Sequence, residues 1–348
     1  MKKKLSINDV AKALNVSKTA VSFIINGKAR ERKISKCLEL TVLDYVKKVN
    51  YIPNATARSL VTGETKTLGI LVEDISDPFF AGIARVIERE VNSRGYKIII
   101  SSTDNDPERI CELIQTYRSR QIDGYIIAPP PGIKVKREIK SLIDSNIPVV
   151  LFDRCFNDIK TDNVIVNNFD SAYQAVNHLY ANGYKSIGLV TLALGQVQMQ
   201  DRLQGYLRAV KEQGSSPSIK EIAFHDDKGK IVENIEDFLK SNKNLDAIFF
   251  ATNYLAEAGL RAIKNLDVSI PEKLGVVVFD DYNLNTLYTP SITAISQPIN
   301  DISNNIVDLL FNRLSSLASK TGNKTIVLQT SLVIRESSKC GSLVDLTL

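Results

Sequence analysis

Apolar residues recur every three or four positions over the first fifty residues, and beyond residue 67 they gather into short unbroken runs. In the first stretch Ile7, Val10, Ala11 and Leu14 follow the i, i+3, i+4, i+7 spacing of a helix with one buried face, and Ser6 stands before them as an N-cap. After the turn Asn15-Val16, Ser17 is placed to cap a second helix with Ala20, Val21 and Ile24 inward. Asn26-Gly27 then offers a stop that tolerates a left-handed backbone. Ser35 caps a third, with Leu38, Val42, Tyr45 and Val49 on one stripe. Two short helices joined by a tight turn and closed by a third predict a helix-turn-helix whose core is too small to be very stable alone.

The later pattern is different. Segments 68–72, 97–101, 124–128 and 148–152 read as strands, and 79–94, 107–120 and 134–145 as helices. The alternation resumes with strands at 186–191, 247–251 and 275–279 around helices near 170–182, 200–213 and 254–266. This rhythm predicts an α/β architecture of two doubly wound, parallel-sheet lobes after an all-α headpiece. The strand ends read Glu73-Asp74, Asp77-Pro-Phe79-Phe80, Asp104-Asn105, Asp153-Arg154, Thr252-Asn253 and Asp280-Asp281. Ligands of open α/β sheets sit beyond these ends, and carboxylates, amides and rings converging there suit a polyhydroxylated small molecule. Taken singly, a strand-end Asp is as readily a helix cap or a turn former.

Composition adds that the chain is ordinary for a globular protein: 348 residues, 44% hydrophobic, 24% charged, with no low-complexity tract. No apolar run approaches the roughly 18 residues a bilayer requires, and the opening Met-Lys-Lys-Lys segment is too polar for a signal-peptide core, so a cytoplasmic protein with no membrane association is expected. Cys37, Cys111, Cys155 and Cys340 lie far apart, and with His178 and His225 they form no spaced metal set. No metal or other cofactor is expected. Charge divides more sharply: residues 1–66 carry 14 Lys and Arg against 5 Asp and Glu, whereas the other 282 carry 30 against 34. A basic block of this kind favours a polyanion through counterion release, unless it is only a solvated tail.

The string Asn8-Asp-Val-Ala-Lys-Ala-Leu-Asn-Val-Ser-Lys-Thr-Ala-Val-Ser-Phe-Ile-Ile-Asn26, followed by Asn50-Tyr-Ile-Pro-Asn54 and Ala57-Arg-Ser-Leu60, resembles the lactose/galactose repressor (LacI/GalR) family of bacterial transcription regulators. The resemblance continues to about Arg335. It implies a DNA-binding headpiece over 1–51, a hinge helix and linker over 52–66, and an effector-binding and dimerisation domain of two lobes of periplasmic-binding-protein type over 67–340. The second helix would enter the major groove, with Lys18 and Thr19 at base edges and Ser17 and Ser22 at phosphates; Asn26 and Tyr51 complete the headpiece set. Phe23 departs from the family's frequent Arg, and either touches a thymine methyl or joins the small core. The loop 27–35, about three residues longer than usual, carries Lys28, Arg30, Arg32 and Lys33 and reads as a phosphate contact or a solvated loop. In the hinge, Asn54, Ala57 and Arg58 would lie in the minor groove and Leu60 would wedge between base pairs.

For the lobes the resemblance implies that Phe79 and Phe80 border the effector, that Asp153 and Asp280 bond it, and that Arg202, in Arg-x-x-Gly-Tyr206, reaches it from a helix start. Asn253 transfers less directly, and Gln196 and Gln198 occupy a diverged loop. The expected partners are a pseudo-palindromic double-stranded operator, a small-molecule effector, most simply a carbohydrate, and a second copy of the chain. The expected function is a sequence-specific transcription regulator, a repressor by family habit. The alternative is a sugar-binding solute receptor without a transcriptional role, in which the basic helix-turn-helix would have no use. His178 and His225 have no neighbouring nucleophile motif, so no enzymatic activity is expected.

Overall fold

The computed structural model describes residues 5–51, 59, 63–193, 195–224, 226–315 and 322–339. The hinge residues Asn54, Ala57, Arg58 and Leu60 lie outside the described residues. The chain divides into two compact units, Met1–Lys66 and Thr67–Leu348.

In the first unit, α1 (Ile7–Ala13), α2 (Lys18–Ile25) and α3 (Lys36–Lys48) each begin at a serine. Ser6 forms a capping box with Asp9, its hydroxyl accepting from the Asp9 N–H while the Asp9 carboxylate accepts from the Ser6 N–H at 2.8 Å. Ser17 accepts from Ala20 N–H at 3.1 Å and Ser35 from Leu38 N–H at 3.4 Å. The core is Val10, Ala11, Val21, Ile24, Ala29 and Val42, with Leu38, Tyr45, Val46 and Tyr51 packed against it. Val46 takes the place expected of Val49, because α3 ends at Lys48 and Val49 is its C-cap.

The second unit holds two six-stranded sheets. The first half runs β1 (Thr67–Val72), α4 (Pro78–Ser93), β2 (Lys97–Ser102), α5 (Pro107–Ser119), β3 (Gly124–Ile127), α6 (Ile133–Asp144), β4 (Val149–Phe152) and β5 (Asp162–Val166). The second runs α7 (Asn168–Ala181), β6 (Ile187–Leu192), α8 (Val197–Glu212), β7 (Ser218–Ile222), α9 (Lys228–Ser241), β8 (Ala247–Phe250), α10 (Asn253–Asn265), β9 (Gly275–Phe279), α11 (Asn283–Leu287) and β10 (Thr293–Ser296). The chain then returns with α12 (Ile299–Leu314) and β11 (Thr325–Leu328), and ends in β12 (Ser331–Val333). Strand orders are β11-β5-β4-β3-β1-β2 and β12-β10-β9-β8-β6-β7; every pairing is parallel except β10 with β12.

The sheets are buried on both faces, which is why their central strands are almost wholly apolar. In β1, Leu68, Ile70 and Val72 meet α4 and α12, and Leu71 meets α5 and α6 on the opposite face. The return of α12 to the first lobe was not legible from local pattern. Its stripe Ile302, Ile306, Val307 and Leu310 fills the groove beside Ile83 and Ile87. The chain thus crosses between lobes three times, near Asn167, Gln297 and Gln329. Asn167 ties two crossings together: its amide donates to Gln329 Oε1 at 2.7 Å, and its oxygen accepts from Thr330 N–H at 2.9 Å.

One glycine sets the close approach of α7 and α8. A Cβ on Gly205 would collide with the carbonyl oxygen of Phe169, a backbone atom that cannot step aside. Gly205 sits between Arg202 and Tyr206, whose hydroxyl donates to Ile187 O at 2.8 Å. Gly205→Ala should therefore prise the helices apart and cost about 1–3 kcal/mol. A lowered thermal unfolding midpoint of the full chain checks this; an unchanged midpoint would show that the helices separate freely.

Candidate functional site: an interlobe cleft and a helix-turn-helix face

Parallel strands carry all their carboxyl ends to one edge, and the crossings set the two edges opposite each other. A cleft of about 390 Å³ lies between them. Phe79, Phe80, Asp153, Gln198, Arg202, Asn253 and Asp280 all line it, so the structure brings the residues expected from the sequence into one place. Glu73, Asp77, Arg154, Gln196, Thr252 and Gln297 join them.

The two lobes present the same device. Asp153 follows β4 and Asp280 follows β9, both with a left-handed backbone, φ 64° and 76°. In each, the strand-end N–H donates to the neighbouring strand, Asp153 to Val164 O at 3.1 Å and Asp280 to Ile295 O at 3.0 Å. Asp is among the few residues that tolerate this backbone. The carboxylates are thereby turned out of the sheet edge into the cleft.

Two buried guanidiniums offset the acids. Arg154 donates to Glu73 at 2.6 Å, to Asn105 Oδ1 at 3.0 Å and to Asp153 at 3.1 Å, tying together the ends of β1, β2 and β4. Arg202 starts from α8, donates to Asn168 Oδ1 at 2.8 Å and to Ala251 O at 2.7 Å, and lies 3.4 Å from the centre of the Phe279 ring. Among the described residues it forms no ion pair. Burial raises the Asp280 carboxyl above its ordinary range, while the Arg202 charge and the Gln297 amide, donating at 2.6 Å, favour its ionised form.

Contacts also span the lobes. Asn253 Nδ2 donates to Asp77 at 2.9 Å, and Gln198 Nε2 to Asp153 at 3.4 Å. Gln198 Nε2 also donates to Gln196 Oε1 at 3.1 Å, which leaves Gln196 Nε2 and Gln198 Oε1 buried with no partner. Phe79 and Phe80 pack edge to face at 5.1 Å between centroids and supply the apolar wall. Arg154 and Asp77 were visible in the sequence only as neighbours of strand ends. Gln297, at a crossing, carried no local signal.

In the headpiece, Ser17, Lys18 and Thr19 are exposed at the start of α2, and Ser22 is half-buried one turn on. Asn26 is the C-cap of α2, its amide folded back onto Ser22 O at 2.8 Å. Tyr51 is half-buried against the core. Phe23 is half-buried on α2. Its ring lies under the Arg32 guanidinium, 4.8 Å from carbon to centroid.

Asp77 has a testable titration. Burial, and then the neighbouring Asp280 charge, push its carboxyl from 3.8 up to about 6, against the opposing bonds from Asn253 and the Phe79 N–H. The folded chain thus holds this proton more tightly than the unfolded one, so the stability Asp77 contributes is present at low pH and lost as pH rises from about 4 to about 6. Asn keeps the helix-capping oxygen without the charge. The advantage of Asp77→Asn in unfolding midpoint should therefore grow between about pH 4 and 6.5 and stay level to pH 8, whereas a constant difference across that range would refute the shift.

Comparison with known proteins agrees with both halves of this geometry. Residues 6–54 match the bacterial regulatory proteins of the lacI family, and residues 176–338 match a periplasmic binding protein-like domain. The chain is 30% identical over 339 residues to the HTH-type transcriptional repressor PurR of Mannheimia succiniciproducens, covering 96% of this chain and 98% of that one. It is 31% identical over 336 residues to a ribose operon repressor of Halalkalibacterium halodurans, covering 97% and 98%. A periplasmic binding protein/LacI transcriptional regulator from Alkaliphilus metalliredigens, solved with D-xylulofuranose, matches with a TM-score of 0.70 at 26% identity, over 78% of this chain and 98% of that chain. Matched in its helix-turn-helix and in its binding lobes, and aligned with repressors along nearly its whole length, the chain belongs to the lacI family of bacterial regulatory proteins, which are DNA-binding transcription regulators and not enzymes.

Proposed function

We propose that this regulator is a cytoplasmic repressor that holds a pseudo-palindromic operator as a homodimer and answers to a monosaccharide bound between its lobes. The observation that carries the sugar reading is the pairing of Asp153 and Asp280, turned into one cleft from opposite lobes beside Arg202. Carboxylates accept from vicinal hydroxyls, a guanidinium donates to them, and an aromatic wall covers the apolar face of a sugar ring. The sugar found with the Alkaliphilus relative supports the same class. Because such a ligand touches both lobes, it binds one lobe arrangement better than another, and that difference is the whole of its leverage over DNA.

On the DNA side, Lys18 and Thr19 project from the N-terminal turn of α2, the part of a recognition helix that reaches base edges. One three-helix unit covers one half-site, and two copies match the symmetry of a palindrome. Leu60, with Asn54, Ala57 and Arg58, would serve as the minor-groove element.

The two activities should separate. Lys18→Ala should weaken operator binding by roughly tenfold or more while leaving sugar binding intact. Asp280→Asn should do the reverse, abolishing the thermal shift that a bound sugar produces and sparing DNA affinity. A screen of pentoses and hexoses identifies the ligand, since a concentration ~100-fold above its Kd stabilises by about 2.7 kcal/mol. Loss of both activities in either variant, or no sequence-preferring duplex binding by the wild type, would overturn the assignment.

A further inference from the structure

The loop between α2 and α3 is a built element. Its ends are anchored in the headpiece: Ala29 is 1% exposed within the core, Ile34 packs against that core, and Ile34 N–H donates to Ala29 O at 2.9 Å. Between the anchors, Arg32 N–H donates to Lys28 O at 3.1 Å and Lys33 N–H to Arg30 O at 3.2 Å, with Lys33 in the left-handed region at φ 53°. Lys28 N–H donates to Phe23 O at 2.8 Å, which fastens the loop to the end of α2. The intervening Arg30, Glu31, Arg32 and Lys33 are all exposed. A closed turn with buried anchors presents its charges in a set direction.

That direction is towards α2. The Arg32 guanidinium lies over the Phe23 ring, and Phe23 is four positions after Thr19 and one after Ser22 on the helix. Val21 and Ile24 are the buried residues of α2, so Phe23 flanks the opposite side, the one carrying Lys18, Thr19 and Ser22. An arginine stacked on an aromatic ring keeps the edge of its planar fork free, and that fork fits guanine O6 and N7. Lysine in the same place would be a point charge.

We propose that Arg32, seated on Phe23, is a specificity-determining contact that reads a guanine in the major groove, with Phe23 serving as its positioning residue. The proposal rests on the DNA-binding reading above. The loop thereby adds a base-reading group from outside the recognition helix, next to the bases met by Lys18 and Thr19.

The test uses the full-length chain and a pool of randomised duplexes, from which wild type, Arg32→Ala, Arg32→Lys, Phe23→Ala and Lys33→Ala each select their preferred sequence. Wild type should prefer a G·C pair at one position of each half-site. Arg32→Ala should reduce discrimination at that pair about tenfold or more and leave the other positions unchanged. Arg32→Lys should lose the same preference while retaining the salt dependence of binding, because it keeps the charge and not the fork. Phe23→Ala should weaken the preference at the same pair. Lys33→Ala should lower affinity for all duplexes alike. If Arg32→Ala lowers affinity uniformly, the residue is a phosphate contact and the proposal fails; if it changes nothing, Arg32 is solvated and the proposal fails equally. Should wild type itself select no sequence, the DNA reading falls first, and the two failures are thus distinct.

Discussion

The guanidinium of Arg154 holds the cleft in place. It is nearly inaccessible, and a charge taken out of water survives only with partners of good geometry. Glu73, Asn105 and Asp153 provide them from the ends of three different strands. The same three bonds fix where those acids stand, so burying one cation organises the floor of the first lobe. Removing it would leave two carboxylates facing each other without compensation, which is costlier than the pair was ever worth.

From that arrangement follows the electrostatic character of the cleft. Glu73, Asp77, Asp153 and Asp280 meet two guanidiniums; Arg154 pairs with Glu73 and Asp153, and among the described residues no ion pair reaches Asp77 or Asp280. Burial raises the Asp77 carboxyl, and its charged neighbours Asp280 and Glu73 add to the rise. Its bond to Asn253 joins α4 of one lobe to α10 of the other, so the state of one proton is felt across the crossing. The headpiece has the opposite bias, with cations in excess of acids.

Much of this was legible in the amino-acid sequence wherever the cause is local. Ser6, Ser17 and Ser35 announce helix starts because a cap hydroxyl acts within three residues. The apolar runs of β1, β4, β6, β8 and β9 announce buried parallel strands, and the acids that follow β4 and β9 announce a ligand edge. The return of α12 and β11 to the first lobe was not legible, because an amphipathic stripe says that a face is buried and not against what. Gln297 was missed for the same reason, since its role comes from the crossing. Phe23 is ambiguous in sequence because an aromatic on a short helix suits a core or a surface, and its contact with Arg32 comes from a loop whose path no local pattern fixes.

The left-handed backbone at Asp153 and Asp280 also limits how the family's chemistry is able to drift in this chain. At φ 64° and 76° a β-branched or bulky side chain is strained, so Asn and Gly are the replacements that cost the backbone least. The least strained choices at each position are therefore a charged acceptor, a neutral amide, or no side chain. Gln196 and Gln198, expected in a loop, are instead the N-cap of α8 and a residue of its first turn; their backbone is ordinary, so a replacement there is limited by the space around two buried side chains. A change of side chain at the two aspartates is thus a question of backbone first, and at the two glutamines a question of packing.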